Sequence, residues 1–218
     1  MSEITPQELG EIYDFAVQLG KDVGRLLIDS AKAKWGDRGS GGEQLLLEKN
    51  NAVNIVTKVN EDVEAFIKSS IEKKYPSHRF IGEEAYSKDT SREYLIGSEP
   101  TWCVDSLDGT EGHIGWNRAL EVESFVNMAA EVGGRDGKGG MVHGVRSLGS
   151  ATLDLAYVAM GTFDIWWEAG CWEWDISAGM AILQEAGGPV TTVNPPNDDH
   201  KAEITDVRLE SRLYLAIR

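Results

Sequence analysis

The 218-residue sequence has only two cysteines and little positive charge. Two cysteines, Cys103 and Cys171, are too few for a disulfide scaffold or a four-cysteine zinc site, so we expect a reducing, cytoplasmic setting. Lys and Arg number 21 against 36 Asp and Glu, a formal net charge of −15, which argues against a nucleic-acid or membrane partner. No apolar run approaches the roughly 18 residues that a membrane span needs, and the polar, acidic N-terminus is unlike a signal peptide.

The remaining composition is that of a globular protein, with 41 % hydrophobic and 26 % charged residues. A first helix is marked by Thr5 as N-cap, Pro6 at the first helical position and Glu8 as the acidic partner of a capping box. A second apolar-periodic segment predicts a helix with Asn60 as its N-cap. Two further helices are expected in the second half of the chain, the first of them ended by Gly161.

Short β-rich runs predict strands between the helices. These runs are Leu45–Leu47, Val53–Val56, Arg79–Gly82, Thr101–Asp105, Phe163–Trp167, Pro189–Val193 and Leu213–Ile217. Residues Glu121–Glu131 fit either a helix or a strand, and the glycine-rich segment Gly133–Gly140 fits only a loop. The irregular order of strands and helices predicts a layered α/β or α+β domain.

The segment Trp102–Thr110, WCVDSLDGT, places two carboxylates where a predicted buried strand ends. Asp105 and Asp108 are three residues apart, so a tight turn can direct both toward one place. Gly109 permits close backbone approach to a ligand, and Thr110 adds a hydroxyl. Hard cations such as Mg²⁺ prefer carboxylate, carbonyl and water oxygens. The segment is therefore typical of a metal site, with a solvated surface turn as the alternative interpretation.

Two other acidic positions also follow predicted strands. Glu83 and Glu84 come directly after Arg79–Gly82, and Asp175 begins a predicted helix after Phe163–Trp167. A solvated loop explains the first pair equally well, and an acid favoured by the helix dipole explains Asp175. Three acidic positions at strand ends in one chain nevertheless favour a single shared metal site.

Four segments of the sequence resemble motifs of the inositol monophosphatase family, which comprises Mg²⁺-dependent, lithium-sensitive sugar phosphatases. The segments are FIGEE at 80–84, WCVDSLDGT at 102–110, GGMVHGVRSLGSA at 139–151, and WEAGCWEWDISAG at 167–179 with QEAGG through 188. They occur in the family's order, and they are most similar to fungal members, including quinate-pathway relatives. The resemblance implies an α+β fold, a layered α/β/α/β/α sandwich, in one domain over residues 1–218.

The resemblance also implies a role for each matching residue. The implied ligands of two Mg²⁺ ions are Glu83, Asp105, the Leu107 carbonyl, Asp108 and Asp175, with Asp105 shared between the ions. The implied substrate contacts are Gly109 and Thr110 to the phosphate, and Gly149, Ser150, Ala151 and Glu168 to the polyol. The implied reaction is hydrolysis of myo-inositol monophosphate by a metal-activated water, with Asp105 and Thr110 as catalytic residues. A bisphosphate nucleotidase or another sugar phosphatase is the alternative, and a homodimer remains open.

The sequence departs from the family pattern at three places. Asn60 occupies the position of a family aspartate, and an amide cannot act as a carboxylate base or carry negative charge to a metal. The residues after the DGT motif, EGHIGW, do not match the family. The chain is also short between the DGT motif and GGMVHG, which predicts an internal deletion with its junction near residues 111–118. We therefore keep a catalytically impaired, truncated product as an alternative.

Overall fold

A computed structural model describes residues 4–35, 46–48, 55–88, 99–106, 118–137, 139–146, 148–192 and 207–218. The chain divides into two compact units, Met1–Leu107 and Asp108–Arg218. Each unit has its own hydrophobic core and contains both helices and sheet, which agrees with the predicted α+β class. Whether the units form the single domain expected over 1–218 stays a prediction. Among the helices described, none combines the length and apolar character needed to cross a bilayer.

In its described residues the first unit contains three helices and four short strands. They are α1 (Pro6–Trp35), β1 (Leu46–Glu48), β2 (Ile55–Thr57), α2 (Lys58–Lys74), β3 (Arg79–Gly82), α3 (Glu83–Lys88) and β4 (Thr101–Val104). Strands β1 and β2 pair antiparallel, and β3 and β4 pair parallel. The capping box of α1 is confirmed, because the Thr5 N–H donates to Glu8 Oε2 at 2.8 Å and the Glu8 N–H donates to Thr5 Oγ1 at 3.2 Å.

Two predictions for the first unit are wrong in detail. Asn60 is not the N-cap of α2, because β2 runs through Thr57 directly into a helix that begins at Lys58. Asn60 instead lies in the first helical turn with only 2 % of its surface exposed. Strand β4 is half-buried along its length rather than fully buried, and it ends at Val104, one residue before Asp105.

The core of the first unit forms on one face of α2. The fully or nearly buried apolar residues are Leu19 of α1 and Val63, Ile67 and Ile71 of α2. Burial of each such side chain contributes roughly 1.5–3 kcal/mol of transfer free energy. Beside them the Trp102 indole N–H donates to His78 Nδ1 at 3.1 Å, and Phe15 packs edge-on against Trp102. This packing holds the parallel pair β3–β4 on the two helices.

The second unit is built on a three-stranded antiparallel sheet. Its elements are α4 (Arg118–Ala129), α5 (Gly134–Gly137), α6 (Ala151–Met160), β5 (Ile165–Ala169), α7 (Glu173–Glu185), β6 (Val190–Thr191), a 3₁₀ turn (Leu209–Ser211) and β7 (Leu213–Ile217). The strand order is β5–β7–β6. Glu121–Glu131 is helical over most of its length, and Gly133–Gly140 is not wholly a loop, because α5 forms one helical turn within it. Gly161 ends α6 with a left-handed φ of 75°, as predicted.

Helices α6 and α7 pack closely above β7. Gly179 allows this approach, since a Cβ added there would lie 2.8 Å from the Leu155 side chain. Tyr214 of β7 is fully buried beneath the helices, and its hydroxyl donates to the Leu209 carbonyl at 2.6 Å. Burial raises the pKa of Tyr214 well above its usual value, so the protonated hydroxyl that donates this bond persists to higher pH than in an exposed tyrosine.

Replacing Tyr214 with phenylalanine is expected to lower the free energy of unfolding by about 1–2 kcal/mol, because the Leu209 carbonyl loses its donor inside the protein. Urea unfolding followed by tryptophan fluorescence measures the change, since Trp166 stacks on this ring. Tyr157→Phe is the matched control, because Tyr157 is 37 % exposed and packs its ring on Phe163. An equal loss in both variants would contradict the assigned role of the buried hydroxyl.

Candidate functional site

Glu83 and Asp105 directly follow the carboxyl ends of β3 and β4. The last strand residues, Gly82 and Val104, are Cα partners in the parallel register, so the chain leaves both strands at the same edge of the sheet. Both acidic residues are half-buried. The expectation that these acids follow strands is confirmed, and their oxygen-only donor chemistry fits Mg²⁺.

Glu64 of α2 contacts the start of α3 with both carboxylate oxygens. Oε2 accepts the Glu84 backbone N–H at 2.8 Å, and Oε1 accepts the Ala85 N–H at 2.6 Å. Glu64 is only 4 % exposed. Burial raises the pKa of this carboxyl, the two N–H bonds lower it, and the nearby charges of Glu84 and Glu83 raise it further. The net direction is upward, because loss of solvent is the largest of these effects.

Sequence reasoning did not find Glu64. The signal was present, since Glu64 lies on the buried face of α2 with Asn60 and Ile67, where an acidic residue is unusual. Gly82 belongs to the same arrangement, because a Cβ at residue 82 would lie 2.6 Å from Glu64 Cδ. A side chain at residue 82 would therefore displace the carboxylate that holds α3.

A second buried contact fixes the chain just after Asp105. The Ser106 hydroxyl donates to the Asn60 backbone carbonyl at 3.2 Å, and Ser106 and Asn60 are 7 % and 2 % exposed. The first turn of α2 therefore anchors the exit of β4. Asn60, the residue that departs from the family pattern, is part of this anchor through its backbone.

Asp175 lies in the first turn of α7 in the second unit. Its Oδ2 accepts the Trp172 N–H at 2.7 Å, so it caps the helix as the dipole interpretation predicts. A carboxylate has about four lone-pair sites, so a capping bond does not by itself exclude a ligand role. Glu168 lies on β5 opposite Tyr214 and is half-buried. The roles of Asp175 in metal binding and of Glu168 in substrate binding stay predictions.

The segment Gly149–Ala151, predicted to contact the polyol, forms the start of α6. Gly149 has a left-handed φ of 78°, and the Ser150 side chain is the N-cap that accepts the Leu153 N–H at 3.1 Å. Ala151 is the first helical residue and is buried. The structure gives this segment a capping function, and its contact with a substrate stays a prediction.

The predicted residues Leu107, Asp108, Gly109 and Thr110 lie outside the described residues, as does residue range 111–117 of the proposed junction. Across the ranges that the structure describes, no three or more His, Cys, Asp or Glu side chains are grouped so that they could hold a metal ion. Of the predicted metal ligands, Glu83, Asp105 and Asp175 are described, and the first two directly follow the paired strands β3 and β4.

Comparison with known proteins finds relatives along the whole chain. The sequence model of the inositol monophosphatase family matches residues 8–119 and 117–215. A quinic acid degradation cluster protein from Neurospora crassa is 46 % identical over 299 aligned positions, which cover 98 % of this chain and 88 % of that protein. Inositol monophosphatase 2 of Saccharomyces cerevisiae is 31 % identical, with 78 % of each chain covered.

A solved structure, the extragenic suppressor protein suhB from Bartonella henselae, superposes with a TM-score of 0.66. The superposition covers 95 % of this chain and 94 % of that one at 21 % sequence identity, so it shows likeness of fold alone. The family match extends over most of the chain and agrees with the four motifs read from the sequence. The chain belongs to the inositol monophosphatase family.

Proposed function

We propose that this chain is a Mg²⁺-dependent phosphomonoesterase that hydrolyses myo-inositol monophosphate to inositol and phosphate in the cytoplasm. The observation that carries the proposal is the placement of Glu83 and Asp105 on neighbouring ends of a parallel strand pair. The donor chemistry of two carboxylates supports Mg²⁺ rather than a softer metal. The yeast relative named inositol monophosphatase supports the substrate class.

The residues that would hold the metal are Glu83, Asp105, the Leu107 carbonyl, Asp108 and Asp175. Bound Mg²⁺ supplies positive charge that lowers the pKa of water and offsets the charge of the phosphate. The protein's own residues then orient the reactants: the Gly109 and Thr110 N–H groups bind phosphate oxygens, and the Thr110 hydroxyl holds the attacking water. Glu168 and Gly149–Ala151 bind the polyol hydroxyls. The positive charge of the bound cation would allow an acidic protein to bind an anionic substrate.

Phosphate release from a panel of substrates tests the proposal. The panel contains myo-inositol 1-phosphate, adenosine 3′,5′-bisphosphate and fructose 1,6-bisphosphate, each assayed with millimolar Mg²⁺ and with excess EDTA. We expect release that EDTA abolishes and that is fastest from the inositol phosphate. Release that persists in EDTA would contradict the metal mechanism. Faster release from the bisphosphate nucleotide would instead support the nucleotidase alternative.

A catalytically impaired product of an internal deletion is the second candidate. The alignment with the Neurospora protein runs over 299 positions, more than the 218 residues of this chain, so a stretch of that relative has no counterpart here. The two family matches meet at residues 117–119, which supports a junction near 111–118. Apolar residues that follow the proposed junction in the sequence are exposed, Val122 by 58 % and Val132 by 76 %, as expected where a covering segment has been lost. Calorimetric titration distinguishes the candidates, because absence of heat at millimolar Mg²⁺ would favour the impaired product.

A further inference from the structure

We propose that Glu64 is a positioning residue that sets the place of Glu83 by fixing the first turn of α3. The inference rests on the proposed function, because it assumes that Glu83 binds Mg²⁺. Glu64 itself does not contact the cation in this proposal. It acts through the backbone of Glu84 and Ala85, the two residues that follow Glu83.

The two hydrogen bonds constrain the direction of a very short helix. The first N–H groups of any helix have no partner within that helix. In α3 two successive N–H groups donate to a single carboxylate that comes from a different helix, α2. The two N–H groups donate to the two oxygens of one buried side chain, so their directions are fixed together. The start of α3, and with it Glu83, is therefore tied to the rigid helix α2.

Gly82 completes the arrangement on the strand side. A Cβ there would meet Glu64 Cδ at 2.6 Å and both carboxylate oxygens within 2.8 Å. The glycine thus allows the carboxylate to lie directly against the last residue of β3. Glu64 is tied to the chain on both sides of Glu83, at residue 82 by close packing and at residues 84 and 85 by hydrogen bonds.

The variants Glu64→Gln and Gly82→Ala test the proposal in the full chain. Glutamine keeps the shape of the side chain but turns an amide N–H₂ toward one of the two donors. Alanine leaves the Glu64 charge in place and displaces the carboxylate sterically, so it remains informative if Glu64→Gln does not fold. Glu72→Gln is the matched control, because Glu72 lies on the same helix with its side chain 60 % exposed, 4.0 Å from Lys68.

Three measurements are made on each protein: far-ultraviolet circular dichroism, the Mg²⁺ dissociation constant by calorimetry, and hydrogen exchange of residues 83–88. We expect both variants to keep their helical signal, to exchange faster over 83–88, and to bind Mg²⁺ about tenfold or more weakly, as outer-shell partners of metal ligands do. Glu72→Gln is expected to behave as the unaltered chain does.

The possible failures are distinguishable. Folded variants that exchange faster but bind Mg²⁺ as the unaltered chain does would show that Glu64 is merely a structural cap, and would overturn the inference alone. Absence of Mg²⁺ binding by the unaltered chain would overturn the proposed function and this inference with it.

Discussion

Asp105→Asn is expected to lower Mg²⁺-dependent phosphate release by about 100-fold or more while the chain stays folded, an effect larger than that of outer-shell substitutions. Asparagine has nearly the same shape but offers one neutral oxygen and no negative charge to a cation. Asp105 is half-buried directly after β4, beside the position where Glu83 leaves β3. Its replacement therefore removes charge at the shared end of β3 and β4, without opening a cavity in a core.

The change in stability is expected to be small beside the change in activity. Because Glu83 and Asp105 follow paired strand ends, removal of one of two like charges relieves part of their repulsion in the metal-free chain. Asp62→Asn is the matched control, because Asp62 is an exposed acid on α2. The rate of phosphate release with Mg²⁺ and the thermal unfolding in EDTA are compared for the unaltered chain, Asp105→Asn and Asp62→Asn. A variant at Asp105 that retains the original rate would remove this residue from the catalytic assignment.

The positions of Glu83 and Asp105 were predictable from the sequence because local signals determine them. Each acid directly follows a strand of four residues, and the charged residue that comes next in the sequence marks the end of that strand. The capping box at Thr5 and Glu8 is equally local, since its two partners are three residues apart. That β3 and β4 pair in parallel register is a tertiary fact, and it ends both strands at the same edge of the sheet, while the shared metal site stays a prediction.

The errors arose where a residue's role depends on a distant part of the chain. Asn60 is of a residue type that often caps helices. The cap position depends, however, on where β2 ends, and β2 continues through Thr57 so that α2 begins at Lys58. Glu64 bonds to backbone groups 20 and 21 residues away, a separation that no helical or strand period reveals. Asp175 makes the capping bond to the Trp172 N–H, its ligand role stays a prediction, and the sequence pattern alone cannot choose between the two interpretations.

The loss of stability caused by Asn60→Asp is expected to depend on Mg²⁺. Asn60 is 2 % exposed in the first turn of α2, on the same buried face as Glu64. A carboxylate introduced here is desolvated and lies on the face that already carries one buried acid, so its pKa rises above the usual value for aspartate. In EDTA at pH 7 we expect the free energy of unfolding to fall by about 1–3 kcal/mol.

The sign of the pH dependence follows from that direction. A carboxyl whose pKa is higher in the folded chain than in the unfolded chain stabilises the fold when it is protonated, and this contribution is lost as the pH rises through the folded pKa. The fall in the free energy of unfolding that Asn60→Asp causes in EDTA should therefore become smaller as the pH is lowered toward the pKa of the introduced carboxyl in the unfolded chain. Thermal unfolding of variant and unaltered chain at several pH values measures the difference.

With Mg²⁺ the same substitution is expected to help. A carboxylate restored at the family's position adds negative charge near the proposed ligands, and we expect Mg²⁺ to bind about tenfold more tightly, at the lower end of outer-shell effects. Because a ligand that binds only the folded chain stabilises it by mass action, millimolar Mg²⁺ should then reverse part or all of the loss seen in EDTA. Asn127→Asp is the control, since Asn127 is a half-buried residue of α4 in the other unit, and its stability change should be independent of Mg²⁺. If Asn60→Asp is destabilising by the same amount with and without Mg²⁺, position 60 has no part in metal binding, and its departure from the family pattern cannot explain impaired activity.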